Sequence, residues 1–284
     1  MALLLDGRRA AAVWQVSLKA SLDMRPVRPA LAIIQVGELL ASDVFIRRKL
    51  KFGEAIGVPV IHRQFPEIIT TSALLAEIDR LNRNPKINGI IVQLPLPSSI
   101  NHAAVIEAIL PSKDIDGLTA MNLKRVWECD PNAVLPATAR GILRLLDHYG
   151  VEIAGRHAVV VGRSTLVGKP TALALLNREA TITVCHCQTV DLGAITRTAD
   201  IIVVAAGSPH LITPEYVSPG QTIVDVGITP VSRQGGGSVA DGHLLGDVDF
   251  KQVEPIVAAI SPVPGGVGPM TVAALFANLI DQTV

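Results

Sequence analysis

Along the chain, short apolar runs alternate with longer segments in which apolar positions recur every three or four residues. The short runs, at Ala30–Val36, Gly89–Val92, Ala158–Val161, Thr181–Cys185, Ile201–Ala205, Thr222–Val226 and Val257–Ile260, are bounded by Gly, Pro, Asn or Asp and predict strands. Helical spacing falls between them, at about Arg9–Asp23, Ser42–Ile56, Ser72–Asn82, His102–Ile109, Arg140–Tyr149, Gly168–Asn177 and Pro269–Asp281. Strand, helix, strand is the grammar of an α/β fold with parallel sheets. One series precedes residue 138, and a second opens with His157-Ala-Val-Val-Val-Gly162. The chain is expected to cross between domains at the helix near Arg140–Tyr149 and again at Pro262-Val-Pro-Gly-Gly-Val-Gly-Pro269, with the tail helix returning to the first. That predicts one domain from 1–138 with 268–284 and another from 139–267. Gly235-Gly-Gly237 predicts a hairpin turn.

Composition agrees with two domains, since 284 residues exceed the roughly 100 to 200 of a single one. Hydrophobic residues are 49% but aromatics only 3%, so the interior must be Val, Ile, Leu and Ala, as in sheets buried on both faces. Lys plus Arg is 25 and Asp plus Glu is 25, so the net charge of zero lacks the basic footprint of a nucleic-acid or anionic-membrane binder and points to a small ligand. No apolar run approaches a membrane span, and Asp6 ends the apolar Met1–Leu5 too early for a secretory segment, which predicts a cytoplasmic protein. Cys129, Cys185 and Cys187 suggest no disulfide framework. If Cys185, His186 and Cys187 continue a strand, alternate side chains face opposite ways, and no metal site is expected.

Gly162-Arg-Ser-Thr-Leu-Val-Gly168 follows a β-branched strand and opens a helix, the setting in which backbone N–H groups and a positive helix end hold a pyrophosphate. Ser164 stands where the strict pattern has glycine, so an ordinary strand-to-helix turn is the competing reading. The next strand ends in Val184-Cys-His-Cys-Gln-Thr189 without the acid that would bind a ribose hydroxyl, and Arg163 stands in the turn, which favours NADP over NAD. Ala206-Gly207 and Gly227-Ile228 are expected to line the cofactor.

In the helix after Gly37, Ser42 suits the N-cap and Asp43 the positive end. Phe45, Lys49, Phe52 and Ile56 share one face, with Ile46 and Gly53 beside them, so a lysine interrupts an apolar stripe. Two readings stand: a stem that snorkels to water, or a desolvated ammonium of lowered pKa fit for proton transfer. Arg47, Arg48 and Lys51 lie off this face and are expected in solvent. Gln93 ends the strand of Ile91-Val-Gln-Leu-Pro-Leu-Pro97, and in Lys113-Asp-Ile-Asp-Gly117 either aspartate could cap a turn.

Four blocks, Val92-Gln-Leu-Pro-Leu-Pro97, Lys113–Gly117, Gly155-Arg-His-Ala-Val-Val-Val-Gly-Arg-Ser164 and Pro262-Val-Pro-Gly-Gly-Val-Gly-Pro-Met-Thr-Val272, occur in order. Together they resemble the bifunctional methylenetetrahydrofolate dehydrogenase/methenyltetrahydrofolate cyclohydrolase family over nearly the whole chain. The resemblance implies an N-terminal α/β folate domain and a Rossmann-like NADP-binding domain with the active site in the cleft between them. It implies NADP-dependent oxidation of 5,10-methylenetetrahydrofolate, then hydrolysis of the methenyl product to 10-formyltetrahydrofolate. Lys49, Gln93 and Asp116 would be catalytic, with Gln93 orienting Lys49 and Asp116 holding the pterin. Phe45, Leu94, Pro264, Gly265, Gly268 and Thr271 would meet the substrate, the last four between folate and nicotinamide. Thr138, Gly162, Arg163, Ser164, Cys187, Thr189 and Ile228 would bind NADP.

Three departures stand out. Phe45 replaces the family tyrosine, keeping a ring to stack but losing the hydroxyl, so a dehydrogenase with weak or lost cyclohydrolase activity is the alternative. Pro136-Ala-Thr-Ala-Arg-Gly141 replaces Pro-Cys-Thr-Pro-Arg-Gly, and Cys187 stands where relatives often carry serine or a cation. A homodimer paired through the Rossmann-like domains is expected by analogy, while a non-catalytic nucleotide binder is disfavoured by the presence of Lys49, Gln93 and Asp116 together.

Overall fold

The computed structural model describes residues 1–38, 40–230 and 244–283, so the turn predicted at Gly235-Gly-Gly237 lies outside the described residues. In chain order the elements begin β1 (Leu3–Leu4), α1 (Gly7–Asp23), β2 (Leu31–Val36), α2 (Leu40–Ile56), β3 (Val60–Phe65), α3 (Thr71–Arg83), β4 (Gly89–Val92), α4 (His102–Glu107), α5 (Ala120–Trp127) and α6 (Ala137–His148). They continue with β5 (His157–Val161), α7 (Gly168–Leu176), β6 (Thr181–Cys185), α8 (Leu192–Thr196), β7 (Ile201–Val204), β8 (Thr222–Asp225), β9 (Thr229–Pro230), β10 (Leu244–Leu245), α9 (Phe250–Val253), β11 (Ala259–Ile260) and α10 (Val267–Asp281). Two compact units result, one of Val13–Ala137 with Val272–Val284, the other of Met1–Ala12 with Thr138–Thr271.

The first unit is built on a parallel three-stranded sheet in the order β3-β2-β4. Central β2 is buried along its whole length, which is why Leu-Ala-Ile-Ile-Gln-Val reads as an unbroken apolar run. Its one polar side chain, Gln35, is satisfied: Nε2 donates to Asp43 Oδ1 at 2.8 Å and to the Gly37 carbonyl at 3.2 Å, and Oε1 lies 2.8 Å from His62 Nε2. Ile34 and Val92 pack with Leu74, Ile78 and Leu81 of α3, each such side chain contributing about 1.5–3 kcal/mol when fully buried. Edge strand β3 was not expected from the sequence. Its Val60-Ile-His-Arg-Gln-Phe65 alternates between half-buried and exposed, and three central polar residues dilute the apolar signal. The helix α5 was also unexpected; Thr119 Oγ1 caps it by accepting from Asn122 N. Helix α2 begins at Leu40, so Ser42 lies inside the first turn and does not precede it as a cap.

The second unit holds a parallel sheet in the order β1-β11-β8-β7-β5-β6. β5, β7 and β8 are almost wholly buried, as their β-branched sequences require. Two-residue β1 joins β11 at the far edge, a pairing too short to announce itself in the sequence. The chain leaves β5 for β6 on one side and returns to β7 on the other, so β5 and β7 flank a topological switch point, where open α/β sheets bind ligands beyond the strand carboxyl ends. β6 spans Thr181–Cys185, the strand read from the sequence, so the case in which it continues through Cys187 does not arise: His186 and Cys187 follow it, with Cys185 buried and Cys187 exposed. Among the described residues no three His, Cys, Asp or Glu side chains are grouped to hold a metal.

Candidate active site and nucleotide site

In the three-stranded unit the apolar stripe of α2 lies against the body of the unit. Phe52 stacks on Phe276 of α10 with ring centroids 5.1 Å apart, Ile46 and Ile56 are buried, and Lys49 is only 8% exposed. The lysine does not snorkel. Its Nζ donates to Gln93 Oε1 at 2.9 Å, and Gln93 Nε2 donates onward to the Leu94 carbonyl at 2.7 Å. The second bond fixes which face of the amide meets the amine. Gln93 is placed because its N–H donates to the Ile34 carbonyl, after which the two prolines end the strand.

Asp116 reaches the same neighbourhood by a different route. A bridge between Ile90 and Asp114 lays the Lys113–Gly117 segment beside β4. Asp114 is the turn former: Oδ1 accepts from Gly117 N at 2.9 Å and Leu118 N at 3.2 Å, and Oδ2 accepts from Thr119 N at 2.8 Å and Asn122 Nδ2 at 2.9 Å. The Asp116 carboxylate is left without a hydrogen-bond partner among the described residues. Asn278 of α10 pins the segment from the other side, donating to the carbonyls of Ile115 and Leu135 at 2.8 and 3.0 Å. Of the two aspartates it is therefore Asp114 that caps the turn, with Asn278 supporting the same segment.

Electrostatics separate this cluster from a surface ion pair. Burial lowers the Lys49 pKa from the ordinary lysine value, and the Asp116 charge raises it only in part. Burial likewise raises the Asp116 pKa, Lys49 opposes the rise, and Asp114 adds to it. The result is an amine that gives up its proton more readily than a free lysine, held by an amide, near a carboxyl that keeps its proton more readily than a free aspartate. Phe45 is half-buried at the N-terminal end of the same stripe. Arg48 is exposed, as expected, and holds its guanidinium carbon 5.7 Å from the Phe45 ring centroid. Leu94 is partly buried beside Gln93.

In the six-stranded unit the glycine turn sits at the switch point. Gly162 has φ +124°, and a Cβ on it would lie 2.1 Å from the Ala205 carbonyl oxygen, so only glycine lets the turn pass β7. Gly168 closes the same turn, with its Cβ direction blocked by the Gly162 carbonyl. Ser164, in place of the missing glycine, holds the turn together, its Oγ accepting from Val167 N and Gly168 N, both at 3.2 Å. Arg163 is exposed. Thr189 is a turn former as well as a candidate contact: Oγ1 accepts from His186 N at 2.8 Å. Cys187 and Ile228 are exposed, Ile228 by 40%, and Thr138 is half-buried in the first turn of α6.

The proline and glycine segment belongs to the same unit. Gly266 N donates to the Pro262 carbonyl at 2.7 Å, and Arg8 N donates to the Gly265 carbonyl at 3.2 Å. Pro264 is exposed and Thr271 half-buried, its Oγ1 donating to the Val267 carbonyl. A Cβ on Gly268 would meet nothing within 4 Å, so internal packing does not demand glycine there. Sequence reasoning missed Asp225 and Asp247, buried where the end of β8 and the segment after β10 meet the turn after β7. An acid inside an otherwise β-branched strand, Val224-Asp-Val226, was the available signal.

A parallel sheet with a glycine turn at its switch point defines a dinucleotide-binding unit, and it is joined in one chain to a unit carrying a desolvated lysine. The class is a two-unit α/β nucleotide-dependent enzyme. Residues 5–116 match the catalytic domain of tetrahydrofolate dehydrogenase/cyclohydrolase and residues 136–284 its NAD(P)-binding domain, so the chain belongs to this family. It is similar to the bifunctional protein FolD of Lacticaseibacillus casei, with 45% identity over 99% of this chain and 97% of that one. The crystal structure of the bifunctional FolD enzyme from Campylobacter jejuni superposes with a TM-score of 0.93 at 38% identity, covering 99% and 98% of the two chains. The Trypanosoma brucei enzyme, solved with NADP cofactor and inhibitor, gives 0.93 at 37% identity, covering 99% and 97%.

Proposed function

We propose that this chain oxidises 5,10-methylenetetrahydrofolate to the methenyl compound with NADP and hydrolyses that product to 10-formyltetrahydrofolate. The observation that carries the reading is the buried Lys49–Gln93 bond, 2.9 Å long, beside an Asp116 carboxyl left free of its own turn. Asp116 is suited to the paired N–H groups of a pterin, and Phe45 and Leu94 to its flat face. The nucleotide turn suits NADP: a glycine turn that leads from β5 into the N-terminus of α7 and packs closely on the chain after β7 at Gly162, with exposed Arg163 available for the 2′-phosphate. Thr138, Ser164, Cys187, Thr189 and Ile228 complete this set, and Pro264, Gly265, Gly268 and Thr271 are assigned to the substrate, with open space at Gly268 in support.

When bound, NADP supplies the hydride acceptor for the methylene carbon. That step asks little proton work of the protein, because the folate nitrogen lone pair stabilises the cation as it forms. Hydrolysis is more demanding. Water adds to the methenyl carbon and loses a proton, and the ring nitrogen that leaves must gain one. Lys49 in its neutral form accepts the first proton and, as ammonium, supplies the second, while Gln93 holds Nζ in one orientation throughout.

A homodimer and a cytoplasmic location are part of the same proposal. Edge strand β6, with Val184 40% exposed, is the support for pairing through the six-stranded unit. Among the described residues no helix is long and apolar enough to cross a membrane.

The test follows reduced nucleotide and methenyltetrahydrofolate together after mixing the protein with NADP and methylenetetrahydrofolate. NADPH should form faster than methenyl compound accumulates, the difference appearing as 10-formyltetrahydrofolate. One-for-one accumulation at the spontaneous hydrolysis rate would establish a dehydrogenase alone, the reading that Phe45 favours. Absence of NADPH would refute both.

A further inference from the structure

Two buried carboxylates link the loops after β7 and β8, and neither belongs to the cluster around Lys49. Asp225, at the end of β8, folds back so that Oδ1 accepts from Gly227 N at 2.9 Å and Asp247 N at 3.0 Å, and Oδ2 accepts from Val248 N at 3.0 Å. Ser261 Oγ accepts from Asp225 N at 2.8 Å and fixes the strand end. Asp247, held in this way, turns Oδ2 toward the other loop, where it accepts from Ala206 N at 2.7 Å and Gly207 N at 2.8 Å. One acid therefore fastens the 247–248 backbone to β8, and the second fastens the turn after β7 to the first.

The other oxygen of Asp247 is unusual. Among the described residues buried Oδ1 has no hydrogen-bond partner of good geometry, although the Ser208 main chain also stabilises the carboxylate, and a Cβ on Gly227 would meet Oδ1 at 2.3 Å. Burying a carboxylate oxygen against the main chain is costly, and a fold rarely retains one without a use for the geometry it enforces. Here it lies against the Cβ-less face of Gly227 while its partner oxygen aligns two N–H groups one strand away.

We propose that Asp247 is a positioning residue for the cofactor: through Oδ2 it aligns the Ala206-Gly207 backbone, and through Oδ1 it occupies the space at Gly227 that sets the two loops at a fixed spacing. Asp225 anchors it. The inference rests on reading Ala206-Gly207 and Gly227-Ile228 as cofactor-lining, and it assigns Asp247 no contact with substrate or cofactor.

Three measurements decide it. In the parent protein, adding NADP should shift the amide resonances of Ala206, Gly207 and Gly227; if it shifts none, the loops do not line the cofactor and the site reading itself fails. Asp247→Asn keeps the shape but loses the charge-assisted bonds, and should raise the NADP dissociation constant about tenfold, a change several times larger than its effect on hydrolysis of supplied methenyltetrahydrofolate. Gly227→Ala attacks the same contact from the opposite side with both acids intact, and should weaken NADP in the same direction. If the amides respond to NADP but either folded variant binds it with the parent constant, the positioning role is overturned. Equal losses in cofactor affinity and hydrolysis, with a lowered unfolding temperature, would make Asp247 a structural acid only and overturn it too.

Discussion

The two units use buried polar side chains in opposite ways. In the three-stranded unit Lys49 is desolvated, held by one amide, and near a carboxyl that its own turn leaves free, and in the function proposed above the side chains are themselves the reagents. In the six-stranded unit Asp225, Asp247 and Ser164 spend their oxygens on main-chain N–H groups, among them those of Ala206, Gly207 and Gly227, and so fix the course of the loops proposed to line the cofactor. Proton chemistry needs a group of tuned basicity, whereas a phosphate-bearing cofactor needs donors at fixed spacing. A substitution in the first unit should therefore change rate without changing fold, and one among the acids of the second should change fold or affinity without touching chemistry.

The largest effect that would break this contrast is at Lys49. Lys49→Met keeps the length and apolar stem, so α2 should pack as before and the variant should fold, with an unfolding temperature somewhat below the parent's because Gln93 Oε1 loses its donor and Asp116 its opposite charge. Hydrolysis of methenyltetrahydrofolate should fall by about 10²- to 10⁴-fold, while NADPH formation from methylenetetrahydrofolate falls much less. A stopped assay for 10-formyltetrahydrofolate alongside NADPH absorbance reads both. Equal losses would mean that the lysine serves binding alone.

The second effect is one of stability. Burial pushes the Asp225 carboxyl up to about 7, against the opposing pull of three backbone N–H groups, compared with 3.8 for a free aspartate. The folded protein therefore holds a proton that the unfolded chain has released between those values, so this contribution is complete below about pH 4 and is lost as pH rises through about 7. Its size is on the order of a few kcal/mol. Asp225→Asn should flatten the fall in stability across that window. Asp116 and Asp247, also raised by burial, keep some of the slope. Urea unfolding at a series of pH values measures it, and an unchanged slope would remove Asp225 from the account.

The smallest effect is at Phe45. Restoring a hydroxyl with Phe45→Tyr should raise the hydrolysis rate a few-fold more than the dehydrogenase rate, because only the former depends on the proton network. If both rates change by one factor, the ring contributes stacking alone.

What could be read from the sequence was local. The strand, glycine turn and helix from His157 to Leu176 are contiguous, and the stripe through Phe45, Lys49, Phe52 and Ile56 follows from helical period. Burial of Lys49 was not legible, since one periodicity serves a snorkelling stem and a desolvated amine equally. The choice between Asp114 and Asp116 depended on the bridge to Ile90, a contact 24 positions away in sequence. β3 was hidden because an edge strand tolerates His62, Arg63 and Gln64 at its centre. Asp225 and Asp247 escaped notice because the chain alone does not say which backbone N–H groups an acid will meet.

The central claim is that Lys49 is a desolvated amine poised to carry a proton, and the most direct measurement is the nitrogen NMR titration of its Nζ, assigned by comparison with Lys49→Met. The account predicts a midpoint below the free-lysine value of 10.5, with the pH dependence of methenyltetrahydrofolate hydrolysis following the same curve. A midpoint at or above that value would mean that the Asp116 charge outweighs burial, that Lys49 stays an ammonium through the working range, and that the proton carrier is another group.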